Sequence, residues 1–91
     1  MTMKDLLKII NHYGLKPQLK YLHTEHYELD EACLIGTKDN VAEELADMFV
    51  MLFQIQEYFN INDNQIDEIM EIKIDRQLER IEEENKNEKI N

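Results

Sequence analysis

Four carboxylates in this chain are spaced as a cation site would require. Glu25 and Glu28 lie three residues apart, Glu44 and Asp47 repeat that spacing, and fifteen residues separate the two pairs. On a helix, positions i and i+3 stand about one turn apart and project in neighbouring directions. Two antiparallel helices joined by a short connection would bring the four groups together. Carboxylates ~4 Å apart repel by roughly 4 kcal/mol at an effective dielectric of about 20, so a convergent quartet calls for a cation. An all-oxygen set with no paired His or Cys suits Mg²⁺ or Mn²⁺ better than zinc.

Asp47 is the sharpest member of the set. It is the one polar residue between Leu45 and Phe53. A helix apolar nearly all round is expected to be buried. A buried carboxylate without compensation costs several kcal/mol, on the scale of a small domain's whole stability. On residues alone, a metal and a buried ion pair with a Lys or Arg of another helix account for Asp47 equally well. Glu25 and Glu28 taken alone read as a solvated face, with Glu25 at the edge of an apolar stripe.

Lys73, Arg76 and Arg80 follow each other at i, i+3 and i+7 and form one basic line on a helix. Such a line suits phosphate. Lys73 continues the face of Ile66 and Ile69 and is expected to point into a bundle. The plain alternative is surface pairing of the arginines with Glu79, Glu83 and Glu84, worth ~0.3–0.5 kcal/mol each. Tyr21, Tyr27, Phe53 and Tyr58 are candidates to stack on a ring, and their positions in sequence do not rank them.

Four helices are expected to position these groups, because two glycines, one proline and no period-2 alternation leave little room for strands. The first spans about residues 2–13, with Met3, Leu6, Ile10 and Tyr13 as its stripe and Gly14 as its stop. The second carries Pro17 in its first turn and runs to Ile35, with Leu15, Leu19, Leu22, His26, Leu29 and Cys33 as its buried line. The third begins near Thr37–Asn40, where Asn40 and Glu43 have capping-box spacing, and continues to Phe59. The fourth covers about 63–84, with Ile66, Met70, Ile74, Leu78 and Ile81 in line, and residues 85–91 are expected to fray. Met48, Met51 and Met70 read as core filler.

The chain has 91 residues, which allows one domain, 1–91. A chain of this size buries only about 60–65% of its unfolded surface. With so much apolar surface in residues 45–53, the core is expected to be completed by a homodimer or homotetramer. A net charge of −10, from 20 acidic and 10 basic residues, argues against nucleic acid and anionic membranes as partners. One cysteine permits no internal disulfide and suits a reducing cytoplasm. The N-terminal segment lacks a signal-peptide pattern, and no apolar run approaches the ~20 residues of a membrane span.

At these residues the chain resembles the MazG-like all-α nucleoside triphosphate pyrophosphohydrolases, whose signature is Glu-x-x-Glu, a spacer, then Glu-x-x-Asp. Here it reads Glu25-His-Tyr-Glu28 and Glu44-Leu-Ala-Asp47. Its flanks are similar too: Gly14-Leu-Lys-Pro-Gln18-Leu before the first motif, Glu28-Leu-Asp-Glu-Ala32 after it, and Asn40-Val-Ala-Glu before the second. Lys73-Ile-Asp-Arg76-Gln-Leu-Glu-Arg80-Ile81 is like the Lys-x-x-Arg segment of short members. The likeness covers about residues 9–81. One departure is Thr24, where many members double the first glutamate. Its loss would weaken a second metal or remove a group that orients the attacking water.

The resemblance implies a four-helix bundle-like protomer that cleaves a nucleoside triphosphate between its α- and β-phosphates. Mg²⁺ (or Mn²⁺) held by Glu25, Glu28, Glu44 and Asp47 would polarise the phosphates and lower the pKa of a bound water. Glu28 would take that water's proton. Lys73, Arg76, Arg80 and Gln18 would bind the substrate. Two alternatives stay open: a non-catalytic acidic helical interaction module on the same scaffold, and a phosphoribosyl-ATP pyrophosphohydrolase.

Overall fold

The computed structural model describes the backbone of residues 1–90 and the side chains of residues 1–87. The described residues form four helices and no strand: α1 (Met3–Tyr13), α2 (Leu15–Ile35), α3 (Lys38–Tyr58) and α4 (Asp63–Ile90). None of these helices is long and apolar enough to cross a membrane.

Local sequence explains each boundary. The Thr2 hydroxyl accepts the Asp5 amide while the Asp5 carboxylate accepts the Thr2 amide, each at 3.2 Å, a reciprocal cap on α1. At Gly14 φ is 95° and ψ 154°, a region essentially reserved for glycine. That one residue ends α1 and starts α2: its amide donates to Ile10 at 2.8 Å and its carbonyl accepts from Gln18. Gly36 closes α2, and a side chain there would meet the Ala32 carbonyl oxygen at 2.7 Å.

The α3 cap is Thr37, whose hydroxyl accepts the Asn40 amide at 3.2 Å. The Asn40–Glu43 box expected from spacing is therefore not formed; Asn40 is the capped residue. Thr37 wins because it stands directly after the Gly36 break, three residues ahead of an amide that has no acceptor within the helix. Asn62 plays the same part for α4, accepting from Gln65 at 2.8 Å. α4 continues as helix through Ile90, past the Glu84 boundary expected from its composition. Asn91, the end of the expected frayed segment, lies outside the described residues.

The chain forms two compact units, Met1–Asn60 and Ile61–Asn91. In the first, α3 packs against both α1 and α2. Leu6, Ile10, Ala32 and Met51 are its buried apolar residues, joined by Gln18, Glu25 and Gln54. The seam of α2 is therefore Gln18, Leu22, Glu25, Leu29 and Ala32, a 4-3-4-3 spacing, and not the expected line through Leu19, His26 and Cys33. Those three are exposed. His26 faces Asp30 at 3.7 Å on the surface, and Cys33 is a free, exposed thiol. Met3 and Tyr13 are exposed as well, which leaves α1 anchored by Leu6 and Ile10.

The second unit contains α4 alone. A lone helix has no partner face within its own unit, and Met70, Ile74, Leu78 and Ile81 are exposed.

Replacing Gly14 by alanine should destabilise the fold by about 1–3 kcal/mol, because an L side chain is strained at that backbone geometry. Urea unfolding followed by circular dichroism measures it; an unchanged midpoint would show that the α1–α2 joint tolerates another conformation.

Candidate metal centre

The two-residue joint Gly36–Thr37 turns α3 back along α2, and the facing pairs follow in order away from it. Glu28 stands by Glu44, then Glu25 by Asp47, then Gln18 by Gln54. The last pair is hydrogen-bonded, Gln18 Nε2 donating to Gln54 Oε1 at 2.8 Å. This antiparallel register draws the acidic pairs together. Ligand oxygens of Glu25, Glu28 and Glu44 all lie within 4.8 Å of one another.

Burial makes this more than a surface cluster. Glu25 is 3% exposed, Glu44 is half-buried, and Glu28 reaches solvent. The Oε2 atoms of Glu25 and Glu44 are both shielded from solvent and have no hydrogen-bond partner. A buried carboxylate oxygen left unserved is costly. A hard cation between these oxygens would satisfy both at once, so the donor set fits Mg²⁺ or Mn²⁺.

Asp47 is exposed, which corrects the expectation that its apolar neighbours bury it. The reason lies in coverage: α3 is covered on one side, along Val41, Glu44, Met48, Met51 and Gln54, and Asp47 sits on the flank of that seam. Leu45, Phe49, Val50, Leu52 and Phe53 are exposed with it. Asp47 nonetheless acts on the cluster, its charge raising both the Glu25 and the Glu44 carboxyls. Thr24, exposed, is not a member of the cluster.

The carboxylates line two separate clefts. One, of about 440 Å³, is lined by Glu28, Glu31, Asn40, Glu43 and Glu44 near the Gly36 turn and is strongly acidic. The other, of about 550 Å³, is bounded by Glu25 and Asp47 and by apolar and aromatic groups from all three helices of the unit. Gln18 forms part of its wall. Lys73, Arg76 and Arg80 belong to the second unit, where all three are exposed. Sequence reasoning named Tyr21 only as one of four candidates to stack on a ring, not as a neighbour of Glu25, and did not name Gln54, which lines the same cleft. Their distances from the acids, four residues before Glu25 and seven after Asp47, are helical repeats that carry this signal.

Electrostatics carry the imprint of crowding. Desolvation pushes the Glu25 carboxyl above its ordinary value of 4.5, opposed by a hydrogen bond from Tyr21 and reinforced by the charges of Glu28 and Asp47. Glu44 is raised by desolvation and then by Glu28, Asp47 and Glu25. The Tyr21 hydroxyl is raised by its hydrogen bond to Glu25 and by that carboxylate's charge.

No protein-family model, no curated protein and no solved structure matches this chain.

The raised carboxyls fix the sign of the pH dependence. A carboxyl whose folded pKa exceeds its unfolded one favours the fold while protonated. That contribution is complete below the ordinary value of 4.5 and is lost as pH climbs through the raised value. Metal-free protein should therefore melt at a lower temperature at pH 7.5 than at about pH 5. Glu25→Gln should flatten the profile. Thermal melts in chelator across this range measure both; a wild-type profile rising toward neutral pH contradicts the crowded cluster.

Proposed function

We propose that this chain is a Mg²⁺-dependent nucleoside triphosphate pyrophosphohydrolase of the MazG-like kind. What carries the reading is the pair of buried, unpartnered oxygens of Glu25 and Glu44, within ligand reach of Glu28. The products are a nucleoside monophosphate and pyrophosphate. When bound, Mg²⁺ or Mn²⁺ supplies positive charge that polarises phosphoryl oxygens and acidifies water. Glu25, Glu28, Glu44 and Asp47 hold it. Glu28, which reaches solvent and stands within ligand reach of Glu25 and Glu44, takes the proton of the water that attacks phosphorus. The bond to the bridging oxygen breaks, and pyrophosphate leaves with that oxygen.

A triphosphate brings about four negative charges to an acidic chain. Lys73, Arg76 and Arg80 are assigned to offset them, and Gln18 to contact the substrate. The proposed place of action is the cytoplasm, where a free, exposed Cys33 is kept reduced.

The active form in this reading is a homodimer or homotetramer. Its support is the uncovered side of α3, where Phe49 is 51% exposed and stacks on Phe53 with ring centroids 6.2 Å apart. Exposed aromatic clusters of this kind mark interfaces. Light scattering should give a mass that is a multiple of 11.0 kDa, and Phe49→Asp should shift it toward the single chain. A folded wild-type monomer at micromolar concentration contradicts the assembly.

Activity is tested by pyrophosphate release from a panel of ribo- and deoxyribonucleoside triphosphates and phosphoribosyl-ATP, with and without Mg²⁺ or Mn²⁺. Release should require metal and vanish in Glu28→Gln. Lys73→Ala should weaken turnover while leaving the metal-induced rise in melting temperature intact. Asp47→Asn should reduce or abolish that rise, which reaches about 2.7 kcal/mol of stabilisation at a hundredfold excess over Kd. No release from any member of the panel overturns the enzyme reading in favour of the acidic interaction module, with Thr24 the first residue to restore to glutamate.

A further inference from the structure

The amides of Gln18 and Gln54 are 93% and 99% buried, being 7% and 1% exposed, yet they take no part in holding a cation. They bond to each other at 2.8 Å. Beyond that bond, the neighbour of the Gln54 Nε2 donor is the Met51 sulfur at 3.8 Å, and the same sulfur lies 4.0 Å from Gln18 Nε2. A thioether is a weak acceptor, so a buried primary amide is left with poor service. Burying such a group costs free energy unless a better partner arrives.

Both amides form the wall of the 550 Å³ cleft that ends at Glu25 and Asp47. The amide pair stands seven residues from Glu25 on α2 and seven from Asp47 on α3. At 1.5 Å per residue this places the pair about 10 Å from the carboxylates, a nucleoside's length rather than a phosphate's. Tyr21 and Val50 stand between the two ends, and Tyr13 and Pro17 add flat and apolar surface to the lining near the amides. Of the four aromatic residues the sequence left unranked, Tyr21 is the one that lines this cleft.

We propose that this cleft seats a nucleobase, its hydrogen-bonding edge on Gln18 and Gln54 and its phosphates toward Glu25 and Asp47. The proposal rests on the pyrophosphohydrolase reading and adds to it the ring, the end that receives it and the residues that read it. A carboxamide presents a donor and an acceptor side by side, which is the pattern of a base edge. Tyr21 offers a ring face for stacking. A polyphosphate without a ring would fill the acidic end and leave the amides unserved, and sites built to hydrogen-bond a group discriminate strongly against ligands that lack it.

The experiment is calorimetric titration with Mg²⁺ of two kinds of probe: α,β-methylene analogues of the common nucleoside triphosphates, which resist cleavage, and inorganic tripolyphosphate. The variant is Gln18→Met/Gln54→Met, which removes both partners together, keeps their shape and leaves no orphaned donor; its melting curve checks the fold. Wild type should bind at least one analogue tenfold or more tighter than tripolyphosphate, about 1.4 kcal/mol. The double variant should lose that preference while its tripolyphosphate affinity stays unchanged. Equal affinity of wild type for tripolyphosphate and every analogue overturns the base site and leaves the metal-phosphate reading standing. A double variant that keeps the preference overturns the role of the amides. Failure of wild type to bind either kind of probe overturns the pyrophosphohydrolase reading, and this proposal with it.

Discussion

The structure of the first unit turns on one constraint: carboxylates occupy seam positions between α2 and α3 that a helical hairpin would ordinarily fill with leucine. Glu25 lies at the centre of that seam, almost wholly out of solvent, with one oxygen unserved. The surrounding chain is arranged so that this position is reached and held. Gly36 and Thr37 make a joint short enough to fix the register. Ala32, small and buried, lets the helices approach near that joint. α1 packs against α3 as well, with Leu6 and Ile10 buried, so the acidic seam has an apolar neighbour. A slip of one residue along either helix would turn Glu25 away from Asp47 and unpair Gln18 from Gln54.

The same constraint decides what could be read from sequence. Gly14, Pro17, Gly36 and the Asn60–Asn64 segment are local punctuation, and they mark the four helices well because each acts through its own backbone geometry. The buried face of α2 was not legible in this way. Its hydrophobic pattern points along Leu15, Leu19 and Leu22 toward His26 and Cys33, whereas packing follows Gln18, Leu22, Glu25, Leu29 and Ala32. A periodicity argument assumes that core positions are apolar. Here two of the five are polar, so the apparent stripe is rotated away from the packed one. Where a pattern fails for this reason, the polar residues at seam positions are themselves the signal of a site.

Asp47 illustrates the opposite error. Its apolar neighbours suggest burial, but a helix can be apolar on a side that its own unit leaves open. Leu45, Phe49, Leu52 and Phe53 are on that side. The position of Asp47 beside Glu25 comes from hairpin register, not from the hydrophobicity of the stretch around it. Lys73, Arg76 and Arg80 were legible only as a basic line on a helix. Their helix forms a unit of its own, and sequence spacing along one helix carries no information on what faces it.

A chain of 91 residues has little stability in reserve. Placing two raised carboxyls in its packed seam draws on that reserve at neutral pH, since desolvation and neighbouring acids oppose there a charge that the unfolded chain carries freely. A cation bound between Glu25, Glu28 and Glu44 would reverse the sign of the effect: repulsion becomes attraction, and the unserved oxygens gain a partner. Metal affinity and folding stability would then be two readings of one free energy, because the three ligands converge only in the folded hairpin. The buried Gln18–Gln54 pair extends that logic along the seam. Being neutral, it fixes register with a hydrogen bond at no cost in charge, and it keeps donors in reserve where the cleft opens. The hairpin thus grades from ionic to neutral polar along its length, acid near the turn and amide farther out. A ligand matched to it must be graded the same way, anionic at one end and hydrogen-bonding but uncharged at the other.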